Sequence, residues 1–504
     1  MCNMQSGIRF VLRISNLRTQ HLTPNTQHLP KAASSRRPPK CYNTPDMSIF
    51  KACDIRGIYK QDLTDEIVYR IGRALGTLTG SKVVIVGGDV RISRPALKSA
   101  LVSGLVESGA AVVDIGIVPT PAFYFAKRHL KADAGAMVTA SHNPPEFNGL
   151  KLALGPLPIT EAELDTIRRL AESGDYVRAG GSVRSTDVIP AYTSFIQSVA
   201  PKATDAHSSK TIIDCGNGCL SGLAPVVFRS FGYRIEELFC TPDGTFPNRS
   251  PNSAVPEALH ALYRKVRSTE ANLGVAFDGD GDRVAFIDDR GRFLISDKAI
   301  VILARHILAR NPGGKVIYDL KCSSAVPEAV SEAGGTPIPE RSGHTFMKTR
   351  VITENAVFGG ELSGHYFFRE LDGGDDGLYC ALVMASILGT TGVQLSDLAD
   401  SIPEYATTPD IRVPFAGDRR EVIERIVSRF PADRVSRLDG VKVVFSGGWG
   451  LARISVTEPV ITLRFEAESR DRLSEIMDAF LESVPEIRDR LPEPAREDSS
   501  EEDL

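Results

Sequence analysis

Residues 82–116 hold the stretch that decides the fold: KVVIVGGD at 82–89, PALKSALVSGLVESG at 95–109 and AVVDIG at 111–116. The first and third segments are short apolar runs, which are typical of buried strands. The middle segment has apolar residues at helical spacing and ends at a glycine. A strand, a helix and a second strand in this order predict a parallel pairing with helices on the faces of the sheet.

The same rhythm returns twice further along the chain. TIIDCGNG at 211–218 precedes a predicted helix over 220–231, and KVIYDL at 315–320 precedes one over 324–333. We therefore predict an α/β protein with three similar tandem domains, built on mixed or mostly parallel sheets and each about 100 residues long. Their predicted bounds are 48–195, 196–297 and 298–405.

The last part of the chain has a different pattern. VKVVFSGGWG, LARISVTEP and VITLRFEAES follow one another closely as strand-like runs, and a helical pattern covers about 469–484. This order predicts a smaller α+β domain over residues 406–490.

The two ends differ from the middle. Residues 1–47 carry seven basic side chains against one acid, and the segment 491–504 is acidic and broken by proline. We expect the first to be a disordered leader, arising from a misassigned start codon or serving as a transit peptide, and the second to be a disordered tail.

Composition excludes several classes of protein. The net charge of −4 does not suggest a nucleic-acid-binding surface, and no apolar run approaches the roughly 20 residues of a membrane helix. The 8 cysteines are widely spaced over 504 residues, which favours reduced thiols in the cytoplasm over disulfides or zinc. We expect a cytoplasmic enzyme with no nucleic-acid or membrane partner, as a monomer or homodimer.

The segment TASHNPPEFNGLK at 139–151 follows a strand-like run and places Ser141 before two prolines. Proline stiffens the backbone, so a stiff, exposed serine here is a candidate nucleophile. Turn chemistry is the alternative explanation. A serine hydrolase is disfavoured, because no G-x-S-x-G elbow surrounds Ser141 and the ring of the adjacent His142 should point away from it.

The segment FDGDGDR at 277–283 spaces Asp278, Asp280 and Asp282 by two. Alternate residues of an extended segment face one way, so three carboxylates converge and require a cation. Oxygen ligands select magnesium or calcium. A calcium-binding EF-hand would need glycine at 283 and glutamate at 289, where this chain has Arg283 and Asp289. We therefore favour magnesium.

Two further segments have polar residues at alternate positions. GGELSGH at 359–365 presents Glu361, Ser363 and His365, which suit the recognition of neighbouring hydroxyl groups. RISVTEP at 453–459 presents an arginine and two hydroxyls, which suit a phosphate. Taken alone, either segment is equally consistent with a polar strand edge.

Together, in this order, the four segments resemble the α-D-phosphohexomutase family. ACDIRG at 52–57, DIGIVPTPA at 114–122 and DGGDDGLY at 372–379 add to the resemblance, which covers about residues 48–490. GELSGHYFF and GWGLARISVTEP resemble the phosphomannomutase/phosphoglucomutase branch in particular. Two positions depart from that branch: Cys53 stands where an aromatic residue is expected, and Val456 where asparagine or glycine is common.

The resemblance implies an intramolecular phosphotransferase that interconverts hexose 1-phosphate and hexose 6-phosphate, with mannose or glucose as the sugar. It implies a phosphorylated Ser141, one Mg²⁺ per chain and a hexose 1,6-bisphosphate as intermediate and activator. Alternatives on the same scaffold are a phosphoglucosamine mutase, a phosphatase and a non-catalytic sugar-phosphate-binding protein.

The resemblance also assigns the site residues. The catalytic set is Ser141, Lys151, His142, Arg56 and Arg283, with Lys151 as the candidate general acid–base. The metal ligands are Ser141, Asp278, Asp280 and Asp282. The residues expected to bind the sugar phosphate are Lys321, His344, Glu361, Ser363, His365, Arg453, Ser455, Val456 and Thr457.

Overall fold

The computed structural model describes residues 48–80, 82–206, 209–454 and 459–491. The predicted leader, and the acidic tail beyond Leu491, therefore lie outside the described residues. No helix in the described ranges is long and apolar enough to cross a membrane.

The first domain is built on a six-stranded mixed sheet with the strand order β1-β5-β4-β2-β3-β6. Its strands are β1 (Ile55–Ile58), β2 (Val83–Gly88), β3 (Ala111–Ile117), β4 (Ala134–Val138), β5 (Phe147–Leu154) and β6 (Ser182–Ser185). Its helices are α1 (Asp65–Thr79), α2 (Arg94–Glu107), α3 (Thr120–His129), α4 (Glu161–Ser173) and α5 (Ile189–Val199). Strands β2, β3 and β4 pair in parallel and are largely buried, as their apolar runs predict.

The second domain has a five-stranded sheet with the order β11-β10-β9-β7-β8. Its elements are β7 (Lys210–Asp214), β8 (Arg234–Leu238), β9 (Leu273–Phe277), β10 (Val284–Ile287), β11 (Phe293–Leu294), α6 (Ala224–Ser230) and α7 (His260–Thr269). Helix α6 is shorter than the predicted 220–231. The N–H of Cys219 donates to the carbonyl of Gly279 and holds the chain in a turn at that point. The helix therefore begins later, at Ala224, with Pro225 in its first turn.

The third domain has a five-stranded sheet with the order β13-β12-β14-β15-β16. Its strands are β12 (Lys315–Asp319), β13 (Thr336–Glu340), β14 (Phe358–Gly360), β15 (Tyr366–Phe368) and β16 (Gly374–Asp375). Its helices are α8 (Ser296–Leu308), α9 (Ala325–Glu332), α10 (His344–Thr353), α11 (Gly377–Thr391) and α12 (Leu395–Asp400).

The three sheets share one topology. The orders β5-β4-β2-β3, β10-β9-β7-β8 and β15-β14-β12-β13 are equivalent, with three strands parallel and the fourth added antiparallel. The prediction of three similar α/β domains is therefore confirmed.

In each sheet the third parallel strand (β4, β9 or β14) is joined by a turn to the antiparallel strand beside it (β5, β10 or β15). That turn is 139–146 in the first domain, 278–283 in the second and 361–365 in the third. Each turn lies at the carboxyl end of a parallel strand, where ligand sites gather in open α/β sheets. The serine, aspartate and glutamate segments thus occupy one equivalent position in three repeats.

A second repeated feature is an aspartate at the end of the first parallel strand of each sheet. Its Oδ1 accepts the backbone N–H two residues further on. The distances are 2.9 Å for Asp89, 2.8 Å for Asp214 and 3.0 Å for Asp319. The side chain thereby starts the same turn in each repeat.

The fourth domain is an antiparallel sheet with helices packed on it, which confirms the predicted α+β pattern. Its strands are β17 (Ala406–Thr407), β18 (Ile411–Pro414), β19 (Val435–Ser436), β20 (Val441–Phe445), β21 (Gly448–Ile454) and β22 (Val460–Ala467). Its helices are α13 (Arg419–Arg429), α14 (Arg470–Leu481) and α15 (Pro485–Arg488). The hairpin between β21 and β22 contains residues 455–458, which are outside the described residues.

Candidate active site

Ser141 lies just beyond β4 and is 1% exposed, although the sequence predicted an exposed serine. Its φ of 48° is in the left-handed region, where a residue other than glycine is strained. The hydroxyl of Ser141 donates to Asp278 Oδ2 over 2.7 Å, so the first and second domains meet at this atom.

The prediction that the ring of His142 points away from Ser141 is wrong. The ring points towards the serine, and its Nδ1 lies 3.4 Å from the serine hydroxyl. Burial lowers the pKa of His142 well below its ordinary range, and the nearby Arg283 and Arg56 lower it further. The neutral imidazole therefore lies among cations, beside the candidate nucleophile.

Asp278, Asp280 and Asp282 do converge: one oxygen from each lies within 4.8 Å of the others, and all three side chains are buried. The cause differs from the predicted extended alternation. Asp278 Oδ1 accepts the N–H of Gly281 over 2.9 Å, and Gly281 has a φ of 79°. A tight turn that only glycine adopts readily therefore brings the carboxylates together.

The charge balance of the aspartate turn favours a bound cation. Burial raises the pKa of Asp278, and Asp280 and Asp282 raise it further. Burial also opposes the ionisation of Asp280, yet Lys151 and the Thr120 hydroxyl hold its pKa below the ordinary value. The buried Oδ1 atoms of Asp280 and Asp282 have no hydrogen-bond partner among the described residues. Such oxygens fit a hard divalent metal.

Lys151 extends from β5 towards this turn. Its ammonium pairs with Asp282 and lies 3.4 Å from Asp280 Oδ2. Burial opposes the protonated form, but Asp280 and Asp282 overcome it and raise the pKa of Lys151 well above its ordinary value. Lys151 is therefore a protonated group at the candidate metal site.

The third domain adds Glu361 and His365. Glu361 Oε1 accepts the N–H of Gly343 over 2.9 Å, while its buried Oε2 has no hydrogen-bond partner among the described residues. His365 Nε2 accepts from Arg283 Nε over 2.9 Å, and its Nδ1 lies 2.9 Å from Asp375 Oδ2. Arg283 therefore joins the second and third domains.

These groups surround a cavity of about 520 Å³. The first three domains contribute to its lining, which includes Arg56, Ser141, His142, Lys151, Arg283, His344, Glu361 and His365. The cavity holds a serine hydroxyl and several cationic groups, and the aspartate triad contacts its wall through Ser141 and Lys151, an arrangement that suits the transfer of a phosphoryl group.

Four family models match this chain in order. They are the phosphoglucomutase/phosphomannomutase α/β/α domains I, II and III, at residues 47–178, 190–291 and 296–405, and the C-terminal domain of the same family, at 411–483.

The chain belongs to the phosphoglucomutase/phosphomannomutase family.

Individual relatives agree with this assignment. The phosphomannomutase/phosphoglucomutase of Pseudomonas aeruginosa is 36% identical over 454 residues, covering 89% of this chain and 97% of the relative. The phosphoglucomutase of Neisseria gonorrhoeae is 35% identical over 453 residues, covering 87% of this chain and 98% of the relative. The crystal structure of a phosphoglucomutase/phosphomannomutase family protein from Burkholderia thailandensis superposes with a TM-score of 0.82 at 35% identity, over 89% of this chain and 99% of that one. The predicted family and enzyme class, an intramolecular phosphotransferase, are therefore confirmed.

Some residues predicted for the phosphohexomutase site lie away from the cavity. The ammonium of Lys321 lies 3.1 Å from Asp410 Oδ2 of the fourth domain. Arg453 Nη2 lies 2.6 Å from Asp439 Oδ2 in that domain. Neither side chain lines the cavity. Ser363 does not line it either, although its buried hydroxyl has no hydrogen-bond partner among the described residues. Ser455, Val456 and Thr457 lie outside the described residues.

Sequence reasoning missed several residues that support the phosphohexomutase site. Asp375 belongs to the DGGDDGLY segment and contacts His365, but its role there required the fold. Thr120, in DIGIVPTPA, donates to Asp280 over 2.6 Å. Arg91 donates to the carbonyl of Ser141, and Asp89 accepts from the Thr139 hydroxyl. The position of these two residues at the end of the KVVIVGGD strand was the sequence signal that could have identified them.

Cys53 lies in the wall of the cavity. The Thr345 hydroxyl donates to its Sγ over 2.9 Å, and burial raises the pKa of the thiol to about 11. Cys53, one of the two residues that depart from the branch pattern, is therefore a protonated thiol facing the site.

Proposed function

We propose that this protein interconverts hexose 1-phosphate and hexose 6-phosphate by phosphoryl transfer through Ser141. The observation that carries the proposal is the 2.7 Å hydrogen bond from the Ser141 hydroxyl to Asp278, within the aspartate triad and at a cavity rich in cations. Family membership makes this the first chemistry to test.

The residues that would hold Mg²⁺ are Ser141, Asp278, Asp280 and Asp282. The unpartnered Oδ1 atoms of Asp280 and Asp282 support this assignment, because a hard cation takes oxygen ligands. The bound ion would supply neutralisation of the charge on the phosphoryl oxygens.

In the proposed cycle, the free hydroxyl of a hexose phosphate attacks the phosphorus of phosphorylated Ser141. The bond from phosphorus to Ser141 Oγ breaks and a bond to the sugar oxygen forms, giving a hexose 1,6-bisphosphate. The bisphosphate then reverses its orientation, and Ser141 Oγ accepts the other phosphoryl group. The protein mainly positions the reactants and stabilises charge.

The arginine, lysine and histidine side chains of the cavity have distinct proposed roles. Arg56 and Arg283 line the cavity around Ser141 and would supply positive charge to the transferring group, whereas burial lowers the pKa of His344 well below its ordinary value, so its neutral ring would act through hydrogen bonds to the substrate. Lys151 is protonated and held against Asp280 and Asp282, so it is placed to donate a proton to the leaving oxygen, and the neutral amine that results would accept the proton of the attacking hydroxyl. His142 lies beside the serine hydroxyl and orients it.

The sugar and its second phosphate would be held by the third and fourth domains. Glu361 and Ser363 have unpartnered buried oxygens, which suits hydrogen bonding to sugar hydroxyls, and His365 is fixed beside them by Arg283. Arg453 with residues 455–457 would hold the phosphate that is not transferred. Because the two orientations bring different sugar faces to this clamp, it must recognise charge alone. Lys321 pairs with Asp410, so its binding to a substrate phosphate would require this ion pair to open.

Mannose and glucose differ at C2, and the similar proteins include a phosphomannomutase/phosphoglucomutase and a phosphoglucomutase. We propose that mannose 1-phosphate and glucose 1-phosphate are both substrates, and that the enzyme works in the cytoplasm as a monomer or homodimer.

The test is a coupled assay on mannose 1-phosphate, glucose 1-phosphate and glucosamine 1-phosphate, with hexose 1,6-bisphosphate as activator. We expect turnover of the first two without net phosphate release. Release of phosphate in step with substrate loss would instead indicate a phosphatase. A preference for the amino sugar would make the enzyme a phosphoglucosamine mutase.

A further inference from the structure

Arg91 follows β2 and is fully buried, with 0% of its surface exposed. Its Nε lies 3.1 Å from Asp89 Oδ2, and Asp89 is also 0% exposed. Burying two charges is costly unless the remaining donors and acceptors are satisfied. The contacts of Arg91 therefore indicate what the pair is for.

All five N–H groups of the guanidinium can be accounted for. One donates to Asp89. The other four face backbone carbonyls of the Ser141 turn and of the residue that follows it in β5. These are the carbonyls of Ser141 (2.9 Å), Asn143 (2.5 Å), Pro144 (2.6 Å) and Phe147 (3.0 Å). A planar fork with fixed donor directions suits such a set, and an ammonium group does not.

Asp89 extends the same support to the other side of Ser141. Its Oδ2 accepts from the Thr139 hydroxyl over 2.8 Å, and that hydroxyl accepts the N–H of Ser141 over 2.9 Å. Both peptide groups that flank the Ser141 side chain are therefore held. This explains how a φ of 48° is maintained at a residue that is not glycine.

Arg91 also lies at the junction with the second domain. Its guanidinium carbon is 5.1 Å from the centroid of the Phe246 ring, and its backbone bridges to Gly244. A Cβ on Gly279, in the aspartate turn, would lie 2.5 Å from the Ser141 carbonyl oxygen. The carbonyl that Arg91 holds is thus the one against which the aspartate turn packs.

We infer that Arg91 is a positioning residue. It holds the Ser141 turn in register with the aspartate turn, so that the serine oxygen keeps its direction both as a hydroxyl and as a phosphate ester. This inference rests on the proposed function, since it concerns the alignment needed for phosphoryl transfer through Ser141.

The test compares Arg91→Lys with Arg73→Lys. Lysine at 91 keeps the charge beside Asp89 but cannot reach four carbonyls at once. Arg73 is the matched control, because it is a buried arginine of the same domain whose partners, Ser108, Glu107 and Val177, lie outside the Ser141 turn.

We expect Arg91→Lys to lower kcat by about 10- to 100-fold, because small misplacements of reacting groups have effects of this size. KM should change by less than about threefold, since the groups that bind the sugar are untouched. Arg73→Lys should keep kcat within about twofold, even if both variants lower Tm.

A second pair of variants applies if Arg91→Lys does not fold. Thr139→Val removes the hydroxyl that links Asp89 to the Ser141 N–H and should lower kcat with little change in KM, whereas Thr139→Ser should retain turnover.

A kcat of Arg91→Lys within twofold of wild type, an equal loss in Arg73→Lys, or equal activity of the two Thr139 variants would overturn the positioning role. Wild-type protein without mutase turnover would instead sink the proposed function itself.

Discussion

The Ser141 and aspartate turns form one half of the site, and the Glu361 turn and the Arg453 region form the other. The two halves differ in which buried polar atoms have no hydrogen-bond partner among the described residues. In the first pair, arginine, threonine and backbone groups hold the turns, and the buried atoms without a partner are carboxylate oxygens of Asp280 and Asp282. In the second pair, the unpartnered buried atoms include Glu361 Oε2, Ser363 Oγ and Arg453 Nε. The comparison teaches that protein contacts preorganise the first half, whose remaining buried oxygens suit a cation, whereas the second half presents buried polar atoms that suit a polar ligand.

The largest expected effect tests the preorganised half. Ser141→Ala removes the proposed nucleophile and should lower kcat by about a thousandfold or more, as removal of an activated nucleophile does elsewhere. The coupled mutase assay measures this. Peptide mass spectrometry of active wild-type protein should find the phosphoryl group on Ser141. Ser386→Ala, which removes a buried hydroxyl with no partner among the described residues, is the control and should retain activity. Full activity of Ser141→Ala would remove the serine from the mechanism.

The next effect tests the need for a cation. Asp280→Asn removes one charge from the triad and should raise the Mg²⁺ concentration for half-maximal activity by about tenfold or more, a change worth about 1.4 kcal/mol. Asp288→Asn is the matched control, because Asp288 is a buried aspartate of the same domain that pairs with Arg292 outside the triad. If metal titrations of the two variants coincide, the metal site lies elsewhere.

The pH dependence of the metal requirement should have a definite sign. Burial and the neighbouring aspartates raise the pKa of Asp278, so its carboxyl takes up a proton at a higher pH than an exposed aspartate. A protonated carboxyl cannot ligate the metal, so apparent Mg²⁺ affinity should fall as pH is lowered through this raised pKa. An affinity that rises on acidification would contradict the assignment. Metal titration of the wild type at several pH values measures it.

A comparable loss is expected in the second half, at the Arg453 region. Arg453→Ala removes a charge-assisted contact worth roughly 1.5–3 kcal/mol, so kcat/KM should fall by about ten- to a hundredfold. The loss should be similar for mannose and glucose phosphates and in both directions, because the clamp does not contact C2. Glu361→Gln should instead change the ratio of the two sugars or lower turnover. Arg464→Ala, on the adjacent strand, is the control. Selective loss of one sugar in Arg453→Ala would reverse the roles of the two regions.

The smallest effect concerns the ion pair of Arg453 with Asp439. Both side chains are partly exposed, so the pair contributes about 0.2–1 kcal/mol. Because Asp439 competes with a substrate phosphate for the guanidinium, Asp439→Asn should lower KM by about two- to fivefold and leave kcat unchanged. Steady-state kinetics at constant ionic strength measure this. A higher KM would mean that Asp439 orients Arg453 for the phosphate.

Chain connectivity alone brings together several of the residues that the sequence singled out as candidates for the site. Ser141, His142 and Lys151 lie within eleven consecutive residues, and the three aspartates lie within five, so their proximity follows from chain connectivity. Sequence reasoning was less successful for the direction in which side chains point. The ring of His142 turns towards the serine, and Lys321 faces Asp410, because packing decides side-chain direction.

The sequence by itself determined the strand–helix rhythm, the three repeats and the four polar segments, because periodicity and turn residues are local properties. Only the tertiary structure decided that three of those segments occupy the same turn of three equivalent sheets. It also decided that Arg91, 50 residues before Ser141, holds the serine turn. Contacts of this kind depend on how strands pair and how domains pack, and no local pattern of residues encodes them. The burial of Ser141 has the same origin, since the aspartate turn of another domain covers it.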